Sequence, residues 1–193
     1  MKFTNGYWLL REEYEPVYAV EYDSHVAEGD TLTVFAASKH ITGRGDCLNL
    51  GMLTVTLTSP MEDVIHVELT HFDGVSGKRV RPEIFTGERT VMIEEKEDSL
   101  VYTTGKLSAV VCRKPSAWSI RFYRDGEFLT ETDYRNMARM RNRHTGESYM
   151  VEQLSLGIGQ YVYGLGERFT PFVKNGQVVE NWNEDGGTAS EQG

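Results

Sequence analysis

Residues 52–59 read MLTVTLTS, and this stretch decides the fold class because its apolar and polar side chains alternate. Leu53, Val55 and Leu57 would share one face of an extended chain, while the threonines between them would share the other. A period of two residues with many β-branched side chains is typical of a strand buried on one side. The stretch therefore predicts a β-strand with a single core-facing side.

The same alternation recurs along most of the chain. Residues 64–72 read VIHVELTHF and place Ile65, Val67 and Leu69 on one face. Similar patterns occupy residues 31–37, 90–94, 100–104, 107–112 and 118–123. Short strands at roughly ten-residue spacing are typical of an all-β sandwich or barrel. We predict an all-β fold, an antiparallel β-sandwich.

Two turn signals support this prediction, and one segment leaves helix or loop open. Asp125-Gly126 and Asn175-Gly176 each separate two strand-like runs, so both predict β-hairpins. Residues 134–143 read YRNMARMRNR, with Met137 and Met140 three positions apart. A short helix would fit that spacing, but the basic and polar character of the segment favours an exposed loop.

Composition and charge exclude several classes of protein. The 193 residues carry a formal net charge of −9, which argues against nucleic acid and anionic membranes as partners. An acidic surface suits a neutral ligand such as a sugar, and it also simply favours solubility. We identify no signal peptide and no membrane span, so we expect a cytoplasmic protein. The two cysteines, Cys47 and Cys112, are expected to be buried or half-buried thiols rather than a disulfide.

The sequence contains no arrangement of residues that predicts catalysis. The five histidines lack the spacing of a metal site, and His66 and His71 would lie on opposite faces of a strand. The carboxylate pairs at 12–13, 94–95 and 97–98 are charge runs typical of a solvated surface. We therefore expect no catalytic residue, no metal and no cofactor in this chain.

Two glycine-containing motifs lie near the C-terminus. Residues 164–169 read GLGERF and predict a tight turn after the strand-like run 161–163, because the glycine pattern fits neither a dinucleotide nor a phosphate loop. Residues 182–188 read WNEDGGT. Here Trp182 could stack on a pyranose ring while Asp185 accepts hydrogen bonds from sugar hydroxyls. A flexible Gly-Gly linker is the alternative interpretation of this second motif.

The order of these motifs resembles glycoside hydrolase family 31, the α-glucosidase and α-xylosidase family. The resemblance rests on Tyr149-Met150 with Glu152, on Leu154 to Gly157, and on the segments 162–169, 173–177 and 182–188. Residues 5–9 and 67–74 are similar, more loosely, to the bacterial α-xylosidase branch. The resemblance therefore covers most of the chain and is strongest over about its last 45 residues.

This resemblance implies a fold and a division of labour. Family members have an N-terminal β-sandwich of the galactose-mutarotase-like type that packs on a (β/α)₈ catalytic barrel, and the catalytic aspartates lie in that barrel. Residues 1–175 would form the sandwich domain. Residues 176–193 would form a loop that reaches the active site and leads to the barrel. Asp185, with Trp182 beside it, is expected to contact substrate.

The parent protein would then hydrolyse terminal α-linked xylose or glucose with retention of configuration, without a cofactor. Its expected partners are an oligosaccharide substrate and its own catalytic barrel, and a homo-oligomer is compatible with the sequence. This chain alone would be inactive. Two alternatives stay open: a freestanding carbohydrate-binding module that uses Trp182 and Asp185, and a purely structural domain.

Overall fold

The structure, a computed structural model, describes residues 2–5, 9–71, 84–166 and 169–179. The chain divides into two compact units. The larger unit comprises Glu15–Ser155, and the smaller unit combines Met1–Tyr14 with Leu156–Gly193. Trp182 and Asp185, the two predicted substrate-binding residues, lie outside the described residues.

The described residues form short strands with a single 3₁₀ turn at Arg44–Cys47. The strands, in chain order, are β1 Tyr14–Tyr18, β2 Glu21–Glu28, β3 Thr31–Ala37, β4 Met52–Thr58, β5 His66–His71, β6 Val91–Glu95, β7 Ser99–Thr104, β8 Leu107–Cys112, β9 Ile120–Arg124, β10 Glu127–Thr132, β11 Met137–Asn142 and β12 Ser148–Glu152. Strands were predicted over parts of β3 to β9, and each of these predictions is confirmed within a few residues.

The strands form three sheets. A four-stranded sheet has the order β2-β3-β4-β5, and a five-stranded sheet has the order β10-β9-β8-β7-β6. A three-stranded sheet has the order β1-β11-β12. The registers described between neighbouring strands are antiparallel. Most neighbours are consecutive in the chain. Their connections range from the two-residue turn between β2 and β3 to the longer segment 38–51 between β3 and β4.

The hydrophobic core takes one face from each of the two larger sheets. Leu53, Val55 and Leu57 of β4 are fully buried, as their alternation with threonine predicted. From the five-stranded sheet the same cluster takes Leu100, Tyr102, Ala109, Val111 and Ile120. Burying a large apolar side chain contributes about 1.5–3 kcal/mol relative to leaving it exposed. The shared core confirms the predicted antiparallel β-sandwich.

The hairpin predicted at Asp125-Gly126 is present between β9 and β10. Asp125 has φ 50° and Gly126 has φ 83°, so both central residues are left-handed. That combination defines a turn whose twist matches the twist of the flanking strands. Arg124 pairs directly with Glu127, so a two-residue turn closes the hairpin.

The expectation of a loop or short helix over residues 134–143 is wrong. Residues Met137–Asn142 form strand β11, which lies between β1 and β12. Met137, Ala138 and Met140 are buried, so apolar groups stand on both faces of this strand. A strand covered on both faces loses the alternation that reveals a half-buried strand. The arginines of this strand therefore hide its β-structure in the sequence.

The two cysteines are free thiols, and no disulfide joins them. Cys112 is half-buried, as expected, but Cys47 is exposed, which corrects the expectation for that residue. Cys47 ends the 3₁₀ turn, in which no residue is buried. Within the described residues no helix has the length and apolar character required to cross a bilayer.

Candidate functional site

The segment that leads to the predicted substrate-binding motif lies in the smaller unit, and residues 156–166 and 169–179 of it are described. Two stretches of this segment, around Val162 and around Asn175, are held together by hydrogen bonds. The backbone N of Lys174 donates to the carbonyl oxygen of Val162 over 2.8 Å. The N–H of Val162 donates to Oδ1 of Asn175 over 2.8 Å.

Asn175 clamps the first stretch with both ends of its amide group. Besides accepting from Val162, it donates from Nδ2 to the carbonyl oxygen of Gln160 over 3.0 Å. An aspartate or alanine at this position would lose one or both of these bonds. The sequence predicts a turn at Asn175 and includes it in the family resemblance, but not these bonds, because a side chain that bonds 13 residues back in the sequence leaves no local pattern.

The turn at Asn175-Gly176 is present, but not as the predicted hairpin. Gly176 has φ 74°, and Gln177 N donates to Lys174 O over 3.1 Å, which closes the turn. No strand flanks it among residues 169–179. Residues 161–163 are likewise not a strand, although their sequence indicated one. The side-chain bonds of Asn175 supplement the backbone bond from Lys174 to Val162 here.

A buried ammonium group stabilises the same loop. Lys174 is only 7% exposed, and its Nζ donates to Oγ1 of Thr170 over 2.9 Å and to the carbonyl of Pro171 over 2.8 Å. Nε2 of Gln177 donates to the carbonyl of Val173 over 2.6 Å. A buried charge is tolerated only when it is well hydrogen-bonded. These bonds fix residues 170–177 relative to one another.

The chain bends at Leu165-Gly166, within the segment predicted as a tight turn, and its backbone there is unusual. Gly164, Leu165 and Gly166 have φ values of 99°, 66° and 78°. Glycine adopts such angles without penalty, whereas an L-residue such as Leu165 pays about 1–2 kcal/mol. Glu167 and Arg168, the rest of the motif, lie outside the described residues.

Large apolar side chains are exposed along this part of the smaller unit. Tyr163 contacts Tyr161 and Phe172, with ring centroids 6.4 Å and 5.1 Å away. We call the exposed group the apolar face, which consists of Leu156, Ile158, Tyr161, Val162, Tyr163, Leu165, Phe169 and Phe172. Phe169 is 98% exposed and Phe172 is 78% exposed. A concentration of exposed apolar side chains is typical of a surface that another protein segment covers.

The described carboxylates and histidines form no metal site. No group of three His, Cys, Asp or Glu residues within residues 2–5, 9–71, 84–166 and 169–179 could hold a metal ion. Glu152 is an exposed residue, but partial desolvation raises the pKa of its carboxyl, which lines a largely apolar groove with Leu129 and Leu154. A glycosidase needs two carboxylates on either side of the scissile bond. No second carboxylate lines this groove among the described residues.

Comparison with known proteins gives three concordant results. The family model for the glycosyl hydrolase 31 N-terminal galactose mutarotase-like domain matches residues 54–193. The α-xylosidase XylQ of Lactiplantibacillus pentosus is 45% identical over all of this chain and 25% of its own length. An α-xylosidase of Emericella nidulans is 35% identical over 99% of this chain and 27% of its own length.

A solved structure shares the fold. The crystal structure of the uncharacterized protein lmo2446 from Listeria monocytogenes EGD-e aligns with a TM-score of 0.59 and 18% identity. The alignment covers 89% of this chain and 15% of that protein. The chain thus spans about a quarter of the length of the curated relatives described above.

Proposed function

Because the chain belongs to the family of glycosyl hydrolase 31 N-terminal galactose mutarotase-like domains, we propose that it serves as the non-catalytic N-terminal domain of a retaining α-xylosidase. The observation that carries the proposal is the similarity of the whole chain to a quarter of an α-xylosidase, at 45% identity. The parent would cleave terminal α-linked xylose, or glucose, from oligosaccharides by double displacement without a cofactor. This chain alone would be inactive.

The domain would have two tasks in the parent. Residues 1–175 would act as the sandwich domain that packs on the catalytic barrel, and the apolar face of the smaller unit suits such packing. Two of its rings, Phe169 and Phe172, expose large apolar surface that costs free energy in water. A covering barrel segment would remove that cost.

The second task would be to present residues 176–193 to the substrate. The clamp of Asn175 on Val162 and Gln160 supports this proposal, because it fixes the chain shortly before the WNEDGGT motif begins. Asp185 would accept hydrogen bonds from sugar hydroxyls, and Trp182 would stack on a pyranose ring. A carboxylate hydrogen bond of this kind contributes about 1.5–3 kcal/mol to binding, which tunes affinity without making a catalyst.

The test is a parallel assay of the full-length parent and of the 193-residue chain on aryl α-xyloside and aryl α-glucoside. We expect the parent to release the aryl alcohol, faster from the xyloside, and the chain to release none. Hydrolysis by the chain alone would contradict its non-catalytic role. A parent inactive on both substrates would contradict the α-glycosidase assignment.

A further inference from the structure

The outer face of the five-stranded sheet carries a cleft that the proposed function does not use. The cleft has a volume of about 560 Å³ and lies entirely in the larger unit. Val110 and Cys112 of β8 and Arg121 and Tyr123 of β9 line it. Their chain neighbours Val111 and Ile120 belong to the core, so alternation places these lining residues on the opposite face of the sheet.

Two ion pairs line this outer-face cleft. Nε of Arg121 lies 2.8 Å from Oε2 of Glu131, its cross-strand partner on β10. Nζ of Lys114 lies 3.3 Å from Oδ2 of Asp98. Each pair therefore holds a cation and a carboxylate side by side. A sugar hydroxyl can donate to the carboxylate and accept from the cation of such a pair. Asp133 adds a third carboxylate to the lining, which disfavours an anionic ligand.

Aromatic side chains complete the cleft. Tyr134, from the β10–β11 connection, is 53% exposed and lines the cleft together with Tyr123. The guanidinium carbon of Arg135 lies 5.0 Å from the centroid of the Tyr134 ring, and this cation–π contact restricts the orientation of the ring. Trp118, which is almost fully buried, forms another part of the lining. An exposed aromatic ring next to paired donors and acceptors is the combination that recognises a pyranose.

The volume also fits a small ligand, because ligand pockets usually span about 300–1,000 Å³. We propose that this cleft is a second, non-catalytic binding site for a neutral oligosaccharide, in which Tyr134 stacks on a sugar ring and the Arg121–Glu131 pair binds its hydroxyls. The choice of sugar rests on the proposed function. The residues that line the cleft are distant in sequence from Trp182 and Asp185. The site would hold an oligosaccharide substrate on the sandwich domain.

The experiment is affinity electrophoresis of the full-length parent in gels containing a soluble, neutral glucan with α-linked xylose branches. Unmodified protein is expected to be retarded. Tyr134→Ala should weaken the apparent affinity about five- to tenfold, since it removes the stacking ring. Tyr134→Phe keeps the ring and should retain the retardation. Arg121→Met, which removes the cation of the Arg121–Glu131 pair, should also weaken the apparent affinity.

Phe85→Ala is the matched control, because Phe85 is an 81% exposed aromatic residue of the larger unit and does not line the cleft. It should leave the retardation unchanged. No retardation of the unmodified parent, or equal retardation of the parent and Tyr134→Ala, would overturn the proposal. Thermal unfolding of each variant checks its fold, and if Tyr134→Ala is unfolded, Arg121→Met decides in its place.

The assay separates this proposal from the proposed function. Hydrolysis of aryl α-xyloside by the unmodified parent tests the enzyme assignment and needs no glucan. A parent that hydrolyses the xyloside without being retarded overturns the cleft alone. A parent that is retarded through Tyr134 without hydrolysing the xyloside supports the cleft and overturns the enzyme assignment.

Discussion

The phenolic oxygen of Tyr102 lies 2.8 Å from the carbonyl oxygen of Asp30, to which it donates a hydrogen bond. Tyr102 belongs to β7 of the five-stranded sheet, and Asp30 lies in the turn between β2 and β3 of the four-stranded sheet. This bond therefore joins the two sheets at the edge of their shared core. Burial raises the pKa of Tyr102 to about 12.

We expect Tyr102→Phe to lower the free energy of unfolding by about 1 kcal/mol, because the Asp30 carbonyl loses its partner while the ring stays in the core. Urea denaturation followed by tryptophan fluorescence measures the change. Tyr149→Phe is the matched control, since the hydroxyl of Tyr149 donates to Glu147 at an exposed site. An equal loss in both variants would contradict an inter-sheet role for Tyr102.

The burial of the Tyr102 hydroxyl predicts an alkaline limit to stability. The folded pKa of Tyr102, about 12, exceeds the ordinary value of 10, so the folded state holds the proton more tightly than the unfolded state. The contribution of protonated Tyr102 to the free energy of unfolding is complete below pH 10 and is lost as the pH rises toward 12. Urea midpoints across this range should fall more steeply for the unmodified protein than for Tyr102→Phe. Parallel curves would contradict the prediction.

Gly126→Ala should destabilise the sandwich by about 1 kcal/mol, because Gly126 has φ 83° at the second central position of the β9–β10 turn. An added Cβ would meet no atom within 4 Å, so the cost is one of backbone conformation. Gly45→Ala is the control, since that site is equally open and has no left-handed φ. Urea midpoints measure the stability of both variants. An equal shift of the midpoint in Gly126→Ala and Gly45→Ala would argue against backbone strain at Gly126.

Asn175→Ala should lower kcat/KM of the full-length parent on aryl α-xyloside about tenfold, if the clamp positions the following motif as proposed. The reason is the loss of both hydrogen bonds, to Val162 N and Gln160 O. Asn175→Asp keeps an acceptor for Val162, so its kcat/KM should lie between those of the unmodified parent and Asn175→Ala. Asn142→Ala is the control, because Asn142 also accepts from turn N–H groups, but in the larger unit. Full activity in Asn175→Ala would remove the clamp from the mechanism.

Asp185→Asn should raise KM or lower kcat/KM of the parent by roughly tenfold, since it replaces a charged acceptor with an amide. The variant keeps the size of the side chain, so the thermal midpoint should stay the same. Steady-state kinetics on aryl α-xyloside measure the effect. Kinetics identical to those of the unmodified parent would exclude Asp185 from the substrate site.

Phe172→Asp should weaken packing of the domain on the rest of the parent, because a charge would be buried where an apolar ring, 78% exposed in this structure, is proposed to dock. Calorimetry of the full-length parent should then show a lower midpoint or a separate transition for the sandwich. Phe85→Asp places the same charge at another exposed ring of the larger unit and should leave the thermogram unchanged. Identical thermograms for the parent and Phe172→Asp would contradict docking through the apolar face.

Local patterns in the sequence determined the sandwich. The alternation of Leu53, Val55 and Leu57 with threonine identified a core face before any contact was known, and Asp125-Gly126 identified a hairpin. Both signals are local, because side-chain direction in a strand and the conformation of a two-residue turn depend on neighbours in the chain. The ordered motifs from residue 162 onward also indicated the family that the family model then matched.

Tertiary structure alone decided the features that depend on distant residues. Strand β11 has buried residues on both faces, so its sequence carries no alternation. The clamp of Asn175 on Val162 spans 13 positions. Tyr134 lines the same cleft as the Arg121–Glu131 pair only because the fold brings the β10–β11 connection beside the paired strands β9 and β10. Hydrogen bonds and clefts of this kind form between side chains that the fold brings together. A sequence specifies them only through the complete packing of the chain.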